Sequence, residues 1–383
     1  MNDKPRVVVA LDAMGGDDAP EQPVIAAARV TMETTIHVAL VGKRDRLEAL
    51  LAEHEHRAGQ IEIIDASEVC EMHEKPRAAL TAKPDASILV AARLLDAGKA
   101  DALVSAGSTG ALVLAAAKHV PMIPGVQRAA LAAVYPTQKR EVSPDPFALL
   151  LDVGATVRCR PRDLVFFAYM GHAYASRISK VERPTVALLN MGSEESKGDK
   201  DLVTAHRLMK NDPWINFIGN VEGNDIPTGG ADVIVCEGYV GNVALKMAEG
   251  VTEVLRGLGK WAFKRSLLWR LGLILLGSGL RRLKDVTDYG EYGGAPLLGF
   301  RYPLIKAHGR SHARAIANAI KIAAKAARDG VCAEIEAAVA DFDARARAAD
   351  DDVSGDASDS ASSDAMPPSG DGSEPSGENR EGG

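Results

Sequence analysis

Aromatic residues make up only 4% of this 383-residue chain, and there are only four cysteines. The scarcity of aromatics argues against an aromatic-rich β-sandwich and suits parallel strands alternating with helices. The cysteines offer no disulfide framework, because Cys70, Cys159, Cys236 and Cys332 are widely spaced, form no CxxC pair and have no zinc-type His ladder beside them. Reduced, buried thiols are expected. No His/Asp/Glu cluster has ligand spacing, so no metal is expected; neither GxGxxG nor GxxxxGK[ST] occurs, and no cofactor is expected. The apolar stretch LGLILL at 271–276 is far shorter than the roughly 18 residues a membrane span needs. MNDKPR leads directly into a strand-like segment without a basic and apolar leader, so export is not expected.

The length suits one large or two intimate α/β lobes. The formal charge of -7 is uneven: residues 350–383 carry ten acids and one arginine, a local -9 that leaves the remainder at +2. That segment is rich in Ser, Gly, Asp and Pro with little to bury, and it reads as a disordered acidic tail on a folded body at 1–349.

Eight short aliphatic runs recur between helix-like segments: RVVVALDA, IHVALVG, IEIIDA, ADALVSAG, FALLLDVG, TVALLNMG, INFIGNVEG and ADVIVCEG. Small or polar residues close each one, as expected of parallel strands covered on both faces. Ligands of such sheets bind beyond the carboxyl ends of the strands, which makes those closing residues the place to look for chemistry.

In LDAMGGDDAP, Gly15 and Gly16 permit a tight turn with some ligand contact, or else a phosphate cradle. DAPE at 18–21 fits a capping box with Asp18 as the helix N-cap. Asp12 and Asp17 have no evident role. SAGSTGAL at 105–112 is a better oxyanion cradle, with Ser108, Thr109 and Gly110 opening a helix whose first amides and dipole suit phosphate; an ordinary capped helix start is the alternative. LLNMGSEESKG places Asn190, Gly192 and Lys197 past another strand, where a lysine either neutralises an anion or is one of many surface lysines. In CEGYVGNVALKMAEG, Gly241 lets the chain bend, and Asn242 is either an amide donor or a helix N-cap. His308 and Ser311 open a helix without a third partner that would make a triad, so His308 suits capping or packing.

From 251 to about 290 the chain becomes both apolar and basic, with no acid between Glu253 and Asp285. A helical pair or hairpin broken near GSG at 277–279 fits this pattern. It reads as a dimer arm or as a membrane-surface helix, with Leu268, Trp269, Leu271, Ile274 and Leu275 facing the bilayer; the two are compatible. The bases alternate with leucines rather than with exposed aromatics, so nucleic acid is not an expected partner.

In this order, DAMGGDDAP, SAGSTGAL, LLDVGAT, LLNMGSEESKG, FIGNVEGNDI, ADVIVCEGYVGNVALKMAEG and DYGEYGGAPLLG with AHGRSHARAIANAI resemble the bacterial acyl-carrier-protein:phosphate acyltransferase family over about residues 6–325. The resemblance implies an α/β fold, a Rossmann-like α/β/α sandwich with a mostly parallel sheet and a helical amphipathic dimerisation arm. It also implies a homodimer, peripheral association with the inner face of the cytoplasmic membrane, and transfer of a fatty acyl group from acyl carrier protein to inorganic phosphate. The acyl phosphate product would supply glycerol-3-phosphate acylation and phospholipid synthesis, which makes a downstream glycerol-3-phosphate acyltransferase a possible partner. The chain departs from the family pattern in AALTAKPDASI, which leaves Lys75, Arg77 and Lys83 without assigned roles, and in AGSTGA and DVGAT.

Phosphate is already a nucleophile near neutral pH, so this reaction needs two substrates held together and a stabilised oxyanion rather than a triad. On this reading Ser108, Thr109 and Gly110 hold phosphate against the Gly15–Gly16 turn, Lys197 screens its charge, and Asn242 donates to the thioester oxygen. Asn190, Gly192, Gly241 and His308 complete the substrate-binding set. Arg265, Arg281, Arg282 and Lys284 would steer the acidic carrier protein. The alternatives are a phosphate acetyltransferase-like enzyme using acyl-CoA and a non-catalytic membrane-associated scaffold.

Overall fold

The computed structural model describes residues 6–138, 146–277 and 293–360, with the side chains of 273 and 349–360 outside the description. Eight of its strands fall on the eight aliphatic runs: β1 (Val8–Asp12), β2 (His37–Gly42), β3 (Ile61–Asp65), β4 (Ala102–Ser105), β6 (Phe147–Leu151), β7 (Thr185–Leu189), β8 (Asn216–Val221) and β9 (Val233–Val235). Three more complete the described sheet: β5 (Ala130–Pro136), β10 (Ala295–Leu298) and β11 (Leu304–Lys306). These three are alanine-rich or very short, and so carry a weak periodic signal.

The order is β3-β2-β1-β4-β11-β10-β5-β6-β9-β7-β8. Pairing is parallel from β3 to β11 and again from β6 to β8, while β10 pairs antiparallel with both β11 and β5, and β5 antiparallel with β6. The sheet is thus two parallel halves joined through a central antiparallel pair. Helices cover both faces. Val9 and Leu11 point to one core with α1 (Glu21–Glu33) and the helix Ala313–Arg328, while Ala10 between them points to the other with the helices Ser87–Asp96 and Thr109–His119. This period-two division requires strands apolar on both faces, as the continuous aliphatic runs are.

The remaining described helices include α2 (Arg44–Ala52), α3 (Pro76–Ala82), α6 (Pro161–Tyr174), α7 (Lys200–Lys210) and the short α8 (Asp225–Thr228). The helices named by range above are α4 (Ser87–Asp96), α5 (Thr109–His119) and α11 (Ala313–Arg328); the basic segment forms α9 (Gly238–Arg265) and α10 (Leu267–Leu275). The last helix, α12 (Val331–Ser360), runs past residue 349 into the acidic segment. Chain contacts separate Met1–Ala340 from Asp341–Gly383. Residues 361–383 lie outside the described residues.

One local expectation is corrected. Helix α1 is capped by Pro20 without a side-chain bond, so the DAPE capping box does not form; instead Glu21 accepts from Arg46 at 2.9 Å, the Asp18 carbonyl accepts from Gln22 N, and Asp18 Oδ2 lies 3.9 Å from His312 Nδ1. A break within the arm falls at Ser266, whose Oγ accepts from Leu268 N and starts α10, because a serine there can satisfy an orphan helical amide; α10 ends at Leu275, and Ser278 and Gly279 of the expected GSG break lie outside the described residues.

Candidate active site

The carboxyl end of β1 delivers Asp12 into the protein, 3% exposed. Oγ of Ser87 and Oγ of Ser105 each donate to it at 2.7 Å, and Met14 N donates at 3.3 Å. Burial pushes this carboxyl up, while the two serine hydroxyls, the amide and the charge of Lys306 pull the other way. Gly15 fits here because a Cβ on it would come within 2.6 Å of Asp12 Oδ2 and 2.7 Å of Gly107 N. Gly16 has φ +115°, in the region that favours glycine. Gly15 and Ser108 border a crevice of only about 10 Å³ beside Asp12, room for about one water.

The same device occurs in the other half. Asp152, fully buried beyond β6, accepts from the amides of Leu131, Gly154, Ala155 and Thr156 and from the Thr156 hydroxyl, at 2.7–3.0 Å. Its parallel neighbour β9 ends in CEGYVG as β4 ends in SAGSTG, so that Gly107 lies against Asp12 and Gly238 against Asp152. A Cβ on Gly241 would overlap the Asp152 carbonyl, so that glycine allows the first turn of α9 to touch the end of β6.

Between the halves lies a cavity of about 290 Å³, with Leu131, Ala133, Val134 and Val153 as its apolar floor. Its polar lining is Thr109 at the start of α5, Asn242 in α9, Lys306 ending β11, His308, and Lys246 paired with Glu249 at 2.9 Å. Lys306 is 8% exposed; its Nζ donates to Ala307 O and, at 3.4 Å, to Ala106 O. Burial depresses it to about 8, against the pull of Asp12 and Asp17. Burial and the charges of Lys306 and Arg310 also depress His308, and His308 Nδ1 accepts from Arg310 N at 3.2 Å. A neutral ring with that acceptor carries its proton on Nε2.

Of the residues expected from sequence, Thr109, Asn242 and His308 therefore meet in one cavity, while Ser108 and Gly15 border the neighbouring crevice and Gly110 a second cavity on the far side of Thr109. Asn242 is not an N-cap: Glu237 takes that position, and Asn242 Nδ2 donates to Val153 O at 3.0 Å. His308 caps no helix either, since α11 starts at Ala313 with His312 at its N-cap. Asn190 closes its own loop, donating to Lys197 O at 2.9 Å and accepting from Met191 N at 2.8 Å, and Gly192 packs beside Lys197. Lys197 is half-exposed, 3.8 Å from Glu194, and does not line the 290 Å³ cavity. Arg281, Arg282 and Lys284 lie outside the described residues; Arg265 ends α9 and is exposed.

Lys306 was missed at the sequence level. Its signal was a lysine ending the short apolar run PLI, where a charge is costly unless it is used or paired. None of the four cysteines lines the 290 Å³ cavity. Cys70, Cys159 and Cys236 are buried and free, and burial pushes Cys159 up to about 11 and Cys236 well above the ordinary thiol range. Among the described residues no group of three His, Cys, Asp or Glu is placed to hold a metal.

The architecture is an α/β fold with its crevice at strand ends, and it matches the crystal structure of a phosphotransacetylase from Streptococcus pyogenes. The TM-score is 0.57 at 18% identity, covering 84% of this chain and 94% of that one, a likeness of fold. Residues 7–334 match the family model described as "Fatty acid synthesis protein". The chain is 45% identical over 318 residues to the phosphate acyltransferase of Dictyoglomus turgidum, covering 83% of this chain and 93% of that one. It is also 45% identical over 329 residues to that of Heliobacterium modesticaldum, covering 86% and 96%. The chain belongs to the fatty acid synthesis protein family, together with these phosphate acyltransferases.

Proposed function

We infer that this protein is an acyltransferase that moves an acyl group onto inorganic phosphate, and we propose acyl carrier protein thioester as the donor. The observation that carries the chemistry is a buried lysine and an amide side chain, Lys306 and Asn242, in one cavity of a chain 45% identical to phosphate acyltransferases. In this reading phosphate sits against Lys306 and the first turn of α5 at Thr109, where a cation and helix amides favour an anion. The Nε2–H of His308 donates to a phosphate oxygen. Lys197, one strand end away, screens anionic substrates on approach.

A phosphate oxygen of monohydrogen phosphate attacks the thioester carbonyl carbon. The C–O bond forms, the carbonyl oxygen takes the negative charge, and the free amide hydrogen of Asn242 stabilises it. Collapse breaks the C–S bond. The proton carried by phosphate ends on the departing sulfur, giving acyl phosphate and free thiol without a protein-bound intermediate. Holding the two substrates together in a mostly apolar cavity provides the remaining rate enhancement.

The arm supports two further partners. Along α9, Val240, Val243, Met247, Val251, Val254, Leu258 and Trp261 are exposed at spacings of three and four, and within Met1–Ala340 only Gly238 and Gly241 of this helix are buried. Such a stripe suits a second copy of the chain, making a homodimer. On α10, Leu268, Trp269, Leu271, Ile274 and Leu275 are exposed, Trp269 lies 5.7 Å from Trp261, and Arg265 and Arg270 flank them. That mixture suits peripheral binding to an anionic membrane surface, and the bases suit an acidic carrier protein. No described helix is long and apolar enough to cross a membrane.

The test is incubation with long-chain acyl carrier protein, with and without phosphate, followed by hydroxylamine trapping. Phosphate-dependent hydroxamate is expected. Its absence with acyl carrier protein but presence with acyl-CoA would replace the donor, and its absence with both would refute the reaction.

A further inference from the structure

A second cavity, of about 480 Å³, adjoins the first and shares Thr109 and Gly154 with it. Its walls are largely apolar, formed by Pro76, Val113, Leu114 and Ala155, and Lys75 and Arg77 stand at its rim. The start of α3 lies against α5: a Cβ on Gly110 would lie 2.9 Å from Pro76 Cγ, so glycine is what lets Pro76 approach. Of the three bases in this stretch, Lys83 is occupied, since its Nζ bonds both oxygens of Glu74 at 2.7–2.8 Å and Val69 O at 2.7 Å. Lys75 and Arg77 are exposed and form no ion pair among the described residues.

A ligand matching this space has its reactive end at Thr109 and Gly154, a long uncharged middle, and an anion at its outer end. An acyl chain fulfils only the first two conditions, since its far end is a methyl group and gives two cations nothing to bind. The leaving side of a thioester donor fulfils all three when the thiol belongs to a pantetheine arm ending in phosphate. We propose that the cavity between α3 and α5 holds the phosphopantetheine arm of the acyl donor, with Lys75 and Arg77 binding its phosphate. This rests on the acyl-transfer reading above. The same arm occurs on a carrier protein and on coenzyme A, and both sources are tested below.

The experiment measures binding of 4′-phosphopantetheine and of pantetheine to the full-length protein, so that its result does not depend on turnover. Wild type is expected to bind the phosphorylated form about tenfold tighter or more, the value of roughly one charge-assisted contact. In K75E/R77E that ratio should collapse toward one, and V113W, which fills the cavity, should weaken both compounds. In kinetic arms run with acyl carrier protein and with acyl-CoA, K75E/R77E should raise KM for the donor that uses the cavity, which identifies the source. Equal binding of the two compounds to wild type, or a ratio that survives the double reversal, would overturn the proposal. So would an unchanged KM for both donors accompanied by altered chain-length preference in V113W, which would assign the cavity to the acyl chain. Formation of acyl phosphate by wild type from an N-acetylcysteamine thioester, which has no phosphate, reports separately on the underlying reaction.

Discussion

Asp12 and Lys306 share one rung of the sheet, on either side of Ser105, across the three adjacent parallel strands β1, β4 and β11. Ser105 donates to Asp12, and Lys306 is held by backbone carbonyls beside it. Asp12, which had no evident role in the sequence, therefore stands beside a buried cation, and the two side chains bear on one another electrostatically. Asp12 and Asp17 draw the lysine toward its charged form, against burial, which favours the neutral amine.

Replacing that cation should be felt by phosphate first. Lys306→Met is expected to raise KM for phosphate by about 10- to 100-fold, the loss of one or two charge-assisted bonds. The KM for the acyl donor should change little. Steady-state kinetics with each substrate varied in turn checks this; an unchanged phosphate KM would move the anion site to Lys197, whose Lys197→Met variant provides the comparison.

The same lysine sets a pH dependence. Its folded value of about 8 lies below the ordinary 10.5, so above about pH 8 the cation is lost and phosphate affinity should fall. Lys306→Arg should retain affinity to higher pH, since a guanidinium stays protonated. Stability runs in the opposite direction. Between about pH 8 and 10.5 the unfolded chain binds the proton that the folded chain has released, so this group makes the protein more stable as pH rises through that window, and its destabilisation is fully present below it. Phosphate titrations from pH 7 to 10, with denaturant unfolding over the same range, check both signs.

Asn242→Ala should lower kcat by about 10²- to 10³-fold with a small change in KM, the usual effect of deleting an oxyanion donor. Because Asn242 also holds Val153 O, circular dichroism must show the variant folded. A loss confined to KM would mean that Asn242 binds the substrate in its ground state instead.

Asp12→Ala removes the acceptor for two hydroxyls and one amide and leaves Lys306 unbalanced. A loss of about 2–4 kcal/mol is expected from buried groups left unsatisfied. Equilibrium urea unfolding measures it; a change below about 0.5 kcal/mol, in the range of surface substitutions, would show that water replaces the carboxylate.

Gly241→Ala puts a methyl group into the Asp152 backbone carbonyl, which cannot move aside as a side-chain tip can. The variant should lose about 1–3 kcal/mol of stability and most of its activity, because α9 carries Asn242. Thermal unfolding together with turnover checks this, and wild-type values for both would contradict the packing described for the end of β6.

Much of the fold was legible because strands buried on both faces must be aliphatic along their whole length, and all eight such runs are strands. The three missed strands, β5, β10 and β11, make the central antiparallel pairs, where three- or four-residue strands and alanine leave little pattern. Thr109, Asn242 and His308 could be picked out because they stand at strand ends or helix starts. Lys306 could not, because its importance depends on its alignment with Ser105 and Asp12, a relation between residues about 200 and 300 positions away that only strand order creates. The Asp18 capping box failed for the converse reason: a local motif gave way to the turn that ties Asp17 N to Gly309 O at 2.8 Å.

The central claim is that phosphate itself, and not a side chain, attacks the thioester. The direct measurement is exchange of radiolabelled carrier thiol into unlabelled acyl carrier protein thioester, with and without phosphate. A protein-bound acyl intermediate would allow exchange when phosphate is absent. Direct attack predicts no exchange until phosphate is added, whereupon label enters through reversal of acyl phosphate formation. Exchange at full rate without phosphate would contradict the mechanism and require a nucleophile in the protein.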